Sequence, residues 1–246
     1  MMPRPLRRRE GVARLPRPRR RRGRWPRQPQ LTARDLEILR WVCRHGVVTP
    51  EQVAQRFFWR DEKGKAGEWA AYRRLAALRE LGLMLGNKPF ADRPMALRVT
   101  REGARLADVG LRPAPLVLSE LEHTIALVWL TEDLLAEHPD AELLTERELR
   151  AQRYRDQREG ISHTGGRTPD AILKLPARSG AARTIAIELD LTRKDRRALE
   201  RIVRGYDRER VDAVWWYVRQ PRVERVREVV RALRAGDRIE VREWRG

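Results

Sequence analysis

Cysteine is nearly absent: Cys43 is the single one in 246 residues. A disulfide framework within the chain is therefore excluded, and a cysteine-based zinc site is not expected. The four histidines, His45, His123, His138 and His163, are dispersed, and this usage suits a reducing cytoplasm. Long apolar runs are missing as well. Nothing approaches the ~18 residues of a membrane-spanning helix. The basic N-terminus has no apolar segment of the secretory kind, so neither a membrane partner nor export is expected. Lysine is scarce, 5 against 49 arginines. A GC-rich codon usage produces such a skew, so the charge carries functional meaning and the choice of arginine is mostly compositional.

Positive charge is what the chain has in excess. The formal net charge is +19, and residues 1–30 alone hold 12 arginines against one acid, Glu10. A block this dense repels itself, and Pro3, Pro5, Pro16, Pro18, Pro26 and Pro29 forbid a continuous helix. Residues 1–30 are predicted to be a disordered basic arm that needs a polyanion. Nucleic acid is favoured over an acidic membrane because each phosphate contact releases counterions; a merely solubilising tail is the alternative. The 41% apolar content still allows a packed core.

Residues 31–112 read as a winged helix-turn-helix domain. Thr32 caps a helix carrying Leu36, Leu39 and Cys43, which Gly46 ends. Thr49-Pro50-Glu51 opens a second helix with Val53, Ala54 and Phe57 on its apolar face. After a charged loop from Arg60 to Gly64, a third helix runs from about Gly67 to Glu80 with Ala71, Leu75 and Leu78 inward. A strand around Leu83, a turn with Asn87, Pro89, Asp92 and Pro94, and a strand from Ala96 to Val99 follow, and then a short helix capped by Thr100. That order is the winged helix-turn-helix order. The third helix would lie in the major groove of double-stranded DNA. Lys65, Tyr72, Arg73, Arg74 and Arg79 on it, with Lys88 and Arg93 in the wing, are the candidate DNA-binding residues. Use of the module for protein contacts is the alternative. Trp69, on a helix that also carries Ala70 and Leu75, is expected in the core, with a stacking residue as the alternative.

Pro113 and Pro115 stiffen a linker over residues 113–117. Residues 118–246 then read as a second, α/β domain of order α-β-β-β-α-β-α-β. Its predicted elements are a long helix from Leu118 to Glu137, strands at Glu142–Thr145, Asp170–Leu175 and Thr184–Leu191, a helix from Lys194, a buried strand at Val214–Val218, a helix after Pro221, and an edge strand at Arg238–Trp244. Glu146 to Gly166 reads as a helical turn and an exposed loop. Trp215 and Trp216 must face opposite sides of their strand.

The period of two also puts Glu188 and Asp190 on one face, and a hairpin would bring Asp170 beside them. Three convergent carboxylates are costly without a cation. A Mg²⁺ or Mn²⁺ held by Asp170, Glu188 and Asp190 would offset that cost and could activate water for phosphodiester hydrolysis. Solvated acids at a strand end, partnered by Arg193 or Arg167, are the plainer alternative.

The combination resembles the replication-relaxation family of plasmids and other mobile elements. The residues that carry the resemblance are Leu31-Thr32-x-Arg34-Asp35, Arg74-Leu75-x-x-Leu78-x-x-x-Gly82-Leu83, His123, Thr168-Pro169-Asp170, Glu188-Leu189-Asp190-Leu191-Thr192-x-Lys194 and Tyr206. The resemblance implies a winged helix joined to a PD-(D/E)xK-like, restriction-endonuclease-type domain, with Asp170 and Glu188 as metal ligands. In that pattern a lysine stands two residues after the glutamate; here the residue is Asp190. Lys194 is the candidate catalytic substitute, Lys174 a second, Asp190 as an extra ligand a third, and Glu146 could add a ligand. His123 is expected to pack within its helix or to bond a backbone group. Two functions follow from the resemblance: a DNA-binding replication-control protein with a degenerate nuclease-like domain, or an active metal-dependent deoxyribonuclease. An RNA-binding regulator is a third reading, with no RNA-module motif to carry it. Replication or mobilisation proteins and a symmetric second copy are the protein partners compatible with it.

Overall fold

The computed structural model describes residues 30–58, 65–161, 167–177, 181–206 and 209–246. The predicted basic arm, the Arg60–Gly64 loop and most of the loop before Arg167 lie outside the described residues. The rest is a mixed α/β structure with two sheets.

α1 (Ala33–His45) begins where Thr32 and Asp35 close a reciprocal capping box, and ends at Gly46, whose φ of 85° suits a residue without Cβ. Its buried face is Ile38, Leu39, Trp41, Val42 and Cys43. Leu36, expected there, is only half-buried. α2 (Pro50–Phe57) starts with a second capping box, Thr49 with Gln52, and Pro50 in its first turn. α3 (Lys65–Glu80) turns Ala71, Leu75 and Leu78 inward. β1 (Met84–Asn87) and β2 (Ala96–Val99) pair antiparallel, Met84 opposite Val99. Val48 adds a bridge to Leu97, exchanging both backbone hydrogen bonds at 3.1 and 2.8 Å. α4 (Arg101–Ala107) is capped by Thr100 and packs on α1.

α5 (Leu121–Glu137) follows a short 3-10 turn at Leu118–Glu120 and serves both layers. Val128 joins the core of the first three helices, whereas Ala126, Leu130 and Leu134 pack on the large sheet. Polar contacts reinforce the junction. Trp41 Nε1 donates to Glu132 at 3.0 Å, Gln52 Nε2 to the Ile125 carbonyl at 2.8 Å, and Arg44 pairs with Glu148 at 2.7 Å. Residues 31–246 accordingly form one compact unit. Ala114, between the two prolines, is buried, and its carbonyl accepts from Arg98 at 3.0 Å.

The five-stranded sheet has its strands in chain order: β3 (Glu142–Thr145), β4 (Ala171–Leu175), β5 (Arg183–Asp190), β6 (Ala213–Arg219) and β7 (Ile239–Trp244). The first three pair antiparallel and the last three parallel. α7 (Arg196–Gly205) and α8 (Val223–Ala232) cover the face that carries Ala186, Val214, Trp216 and Val218. α5 covers the opposite face, with Ile185, Ile187, Leu189 and Trp215. Trp215 and Trp216 therefore do face opposite sides. β5 and β6 are buried on both faces, as their near-continuous apolar runs require.

One element exceeds its expectation. α6 (Glu146–Arg158) is a full helix of 13 residues rather than a turn and a loop. Leu149 is its only buried residue, so it has no apolar period to reveal it. Its start is fixed by a capping box of Thr145 and Glu148.

Candidate functional site

The first candidate surface is the outer side of α3 with the β1–β2 connection. Arg73, Arg79, Lys88 and Arg93 are exposed, and among the described residues none of them sits in an ion pair. Trp69 is 71% exposed, which corrects its expected place in the core. The Arg73 guanidinium lies 5.9 Å from its ring centre, within reach of a cation–π attraction. Tyr72 is exposed too, and its hydroxyl donates to Glu51 at 2.5 Å. Burial, and then Glu51, push the phenol well above its ordinary range, so it stays a donor.

Arg74, expected among the DNA-binding residues, is half-buried and turned onto a carboxylate. Its guanidinium forks onto Asp35: Nε donates to Oδ1 at 2.6 Å and the second nitrogen to Oδ2. The Asp35 side chain is 1% exposed. Burial would raise its pKa, but the hydrogen bonds from Arg74 and Thr32 outweigh that and hold it below the usual carboxylate range. The Asp35 that caps α1 is therefore also the anchor of α3. The side chain of Lys65 lies outside the described part of the molecule.

The second candidate is a cleft of about 180 Å³ at the junction of α5, β4, β5 and α7. Asp170, Glu188, Asp190, Lys194, His123 and Arg167 all line it. The sheet explains the gathering. Glu188 and Asp190 share a face with Ala186, and Asp170 precedes β4, its backbone N–H bonded to the Ile187 carbonyl at 3.1 Å. The residues do meet, but each carboxylate already has its own partners.

Glu188 is held by Arg167 through two nitrogens, at 2.8 and 3.0 Å, and by the hydroxyl of buried Tyr206. Burial, with the Asp170 charge beside it, pushes Glu188 up to about 7, against the pull of Arg167 and Tyr206. The bond to Glu188 in turn drives Arg167 upward, so it stays charged. Asp190 accepts from Lys194 Nζ at 2.6 Å, from the Thr192 N–H at 3.1 Å and from Arg222 at 3.4 Å. Asp170 accepts from the Leu189 N–H at 2.8 Å. His123 Nε2 lies 3.3 Å from the same Asp170 oxygen and 3.1 Å from the Leu189 carbonyl. Both neighbours are acceptors, so Nε2 carries a proton. Burial opposes a charged imidazole here, yet the bond to Asp170 outweighs it and raises the pKa.

These partners bear on the expected Mg²⁺ or Mn²⁺. Among the described residues no group of three acidic, histidine or cysteine side chains is gathered as a metal cage. Both Glu188 oxygens face guanidinium nitrogens, and Asp190 is engaged by two cations. As arranged, the expected ligand triad of Asp170, Glu188 and Asp190 is engaged by protein donors. Lys174 is not brought in: it pairs with Glu142 at 3.3 Å on the β3–β4 side. Glu146 pairs with Arg150 at 2.5 Å, near enough to Asp170 and His123 to feel their charges.

Arg222 is the residue that sequence reasoning missed. Its guanidinium bonds the Asp190 carbonyl at 3.0 Å and the Thr192 carbonyl. It lies 32 positions from Asp190, and no local pattern links them. Arg167, by contrast, was readable as a partner because it stands just before Asp170. Compared with known proteins, the chain matches no family model, no curated protein and no solved structure.

Proposed function

We propose that this protein binds double-stranded DNA in the manner of a winged helix, with α3 and the β1–β2 hairpin at the duplex. In this reading the five-stranded layer is a nuclease-like fold that has exchanged metal binding for internal ion pairs. The observation that carries it is the exposed basic set of Arg73, Arg79, Lys88 and Arg93 on one helix and its neighbouring hairpin, none of them in an ion pair among the described residues. Arginine and lysine without carboxylate partners are what phosphate contact requires, and the net charge of +19 adds long-range attraction. The motif resemblance supports a role in replication control of a plasmid or other mobile element.

One observation favours the second reading, an active metal-dependent deoxyribonuclease: Asp170, Glu188 and Lys194 share a cleft. The test is incubation of the full chain with supercoiled plasmid and Mg²⁺ or Mn²⁺, beside Asp170→Ala and Glu188→Ala, with gel-shift binding measured in parallel. Binding without nicking is expected. Metal-dependent nicking that both variants abolish would establish the nuclease instead.

A further inference from the structure

Adjoining the carboxylate cleft, and sharing Asp190 and Lys194 with it, lies a cavity of about 370 Å³. Four cations line it, Arg193, Lys194, Arg222 and Arg225, against a single acid, Asp190. Lys194 and Arg222 form its floor and are already fixed. Lys194 is tied to Asp190 at 2.6 Å, and Arg222 to the carbonyls of Asp190 and Thr192. One carboxylate cannot neutralise two cations, so the floor keeps an excess positive charge. Arg193 and Arg225 are exposed at the rim, and among the described residues neither has an ion-pair partner.

The position adds a second, independent reason. The cavity opens where β5 ends at Asp190 and where the chain leaves the parallel strand β6 for α8. The carboxyl ends of parallel strands are where open α/β sheets take up ligands. Positively charged and prearranged donors in a concave site select an anion, and arginine forks match the tetrahedral oxygens of phosphate.

We infer that the cavity between the β5 end and α8 is a phosphate-binding site in which Arg193 and Arg225 hold the ligand, with Lys194 and Arg222, engaged by Asp190 and its neighbouring carbonyls, supplying positive charge beside it. The phosphate it takes is a backbone phosphodiester of bound duplex, which gives the second layer its own grip on DNA. That source rests on the proposed function; the phosphate chemistry does not.

The test uses the full chain with a fluorescent duplex in metal-free buffer over a series of salt concentrations. Wild type is compared with Arg193→Ala/Arg225→Ala and with a control, Arg201→Ala/Arg204→Ala, that removes the same charge from exposed positions of α7 outside the cavity. Removal of the rim pair is expected to lower the log–log salt slope by about 2, with an unchanged circular dichroism spectrum, and the control to lower it clearly less. Equal losses in both variants would overturn the site. A parallel arm follows Tm against inorganic phosphate. A phosphate-dependent rise that only the rim variant abolishes, together with an unchanged slope or no duplex binding by wild type, assigns the cavity to free phosphate compounds. No slope change and no phosphate response would overturn it. Wild-type failure to bind duplex sinks the proposed function and, with it, duplex as the source of the phosphate; if inorganic phosphate then gives no rim-dependent Tm rise either, the site is overturned as well.

Discussion

The α3 surface and the carboxylate cleft are built from the same arginine-rich stock and use it in opposite ways. On α3, one arginine is spent inward: Arg74 neutralises Asp35, and that pair lets Arg73 and Arg79 stand on a firmly seated helix without a carboxylate partner among the described residues. In the cleft, the cations turn toward acids: Arg167 toward Glu188, Lys194 and Arg222 toward Asp190, His123 toward Asp170. Net charge therefore says little about where a polyanion would land. What counts is which cations have carboxylates within reach, because a paired guanidinium has few donors left for phosphate.

The largest effect that would sharpen this contrast concerns residues 1–30. Their deletion is expected to flatten the salt dependence of duplex binding by roughly 5 to 9 units of log–log slope, from six to ten lost phosphate contacts. An unchanged slope would leave the whole electrostatic grip to the globular part. Next come the tryptophans, whose burial differs most. Trp216→Ala, at a fully buried position between β6 and the α7–α8 layer, should cost roughly 3–5 kcal/mol in urea unfolding. Trp69→Ala should stay within about 0.5 kcal/mol while weakening duplex binding. A large stability loss at Trp69 would return it to the core.

Asp35→Ala should follow at about 3 kcal/mol, because it strands the partly buried Arg74 and removes the carboxylate half of the α1 capping box. The pH dependence has a definite sign. Asp35 is held below its ordinary value of 3.8, so its contribution is complete above that value and is lost as pH falls below it toward the folded pKa. Wild type should lose more stability than Asp35→Asn as pH falls below 3.8; parallel losses would break the link between the ion pair and α3. The smallest expected effect is none. Millimolar Mg²⁺ should leave Tm unchanged, because a ligand stabilises only by binding the folded state, and the carboxylates already have partners. A clear upward shift lost in Glu188→Ala would reopen the cleft as a metal site.

The sequence was most legible where the physics is local. Thr32 with Asp35, Thr49-Pro50 with Gln52, and Thr100 mark helix starts because a cap acts within four residues. The strands β2, β4, β5 and β6 were readable from period and apolar runs, and so was the shared face of Glu188 and Asp190. Legibility failed where an element lacks an apolar stripe, as in α6, or where exposure depends on distant neighbours. Trp69 looked like core by composition and is exposed because Ala71, Leu75 and Leu78 already fill the buried face of α3.

By itself, the sequence determined the mixed α/β character, the helix starts, the strand faces and the excess of positive charge, since each depends on residues a few positions apart. Only the tertiary structure decided which charges remain available. Arg74 meets Asp35 across 39 positions, Arg167 meets Glu188 across 21 and Arg222 meets Asp190 across 32. Whether a guanidinium neutralises a neighbour or faces solvent is a matter of distances of a few ångströms between remote segments, and only the folded chain fixes those.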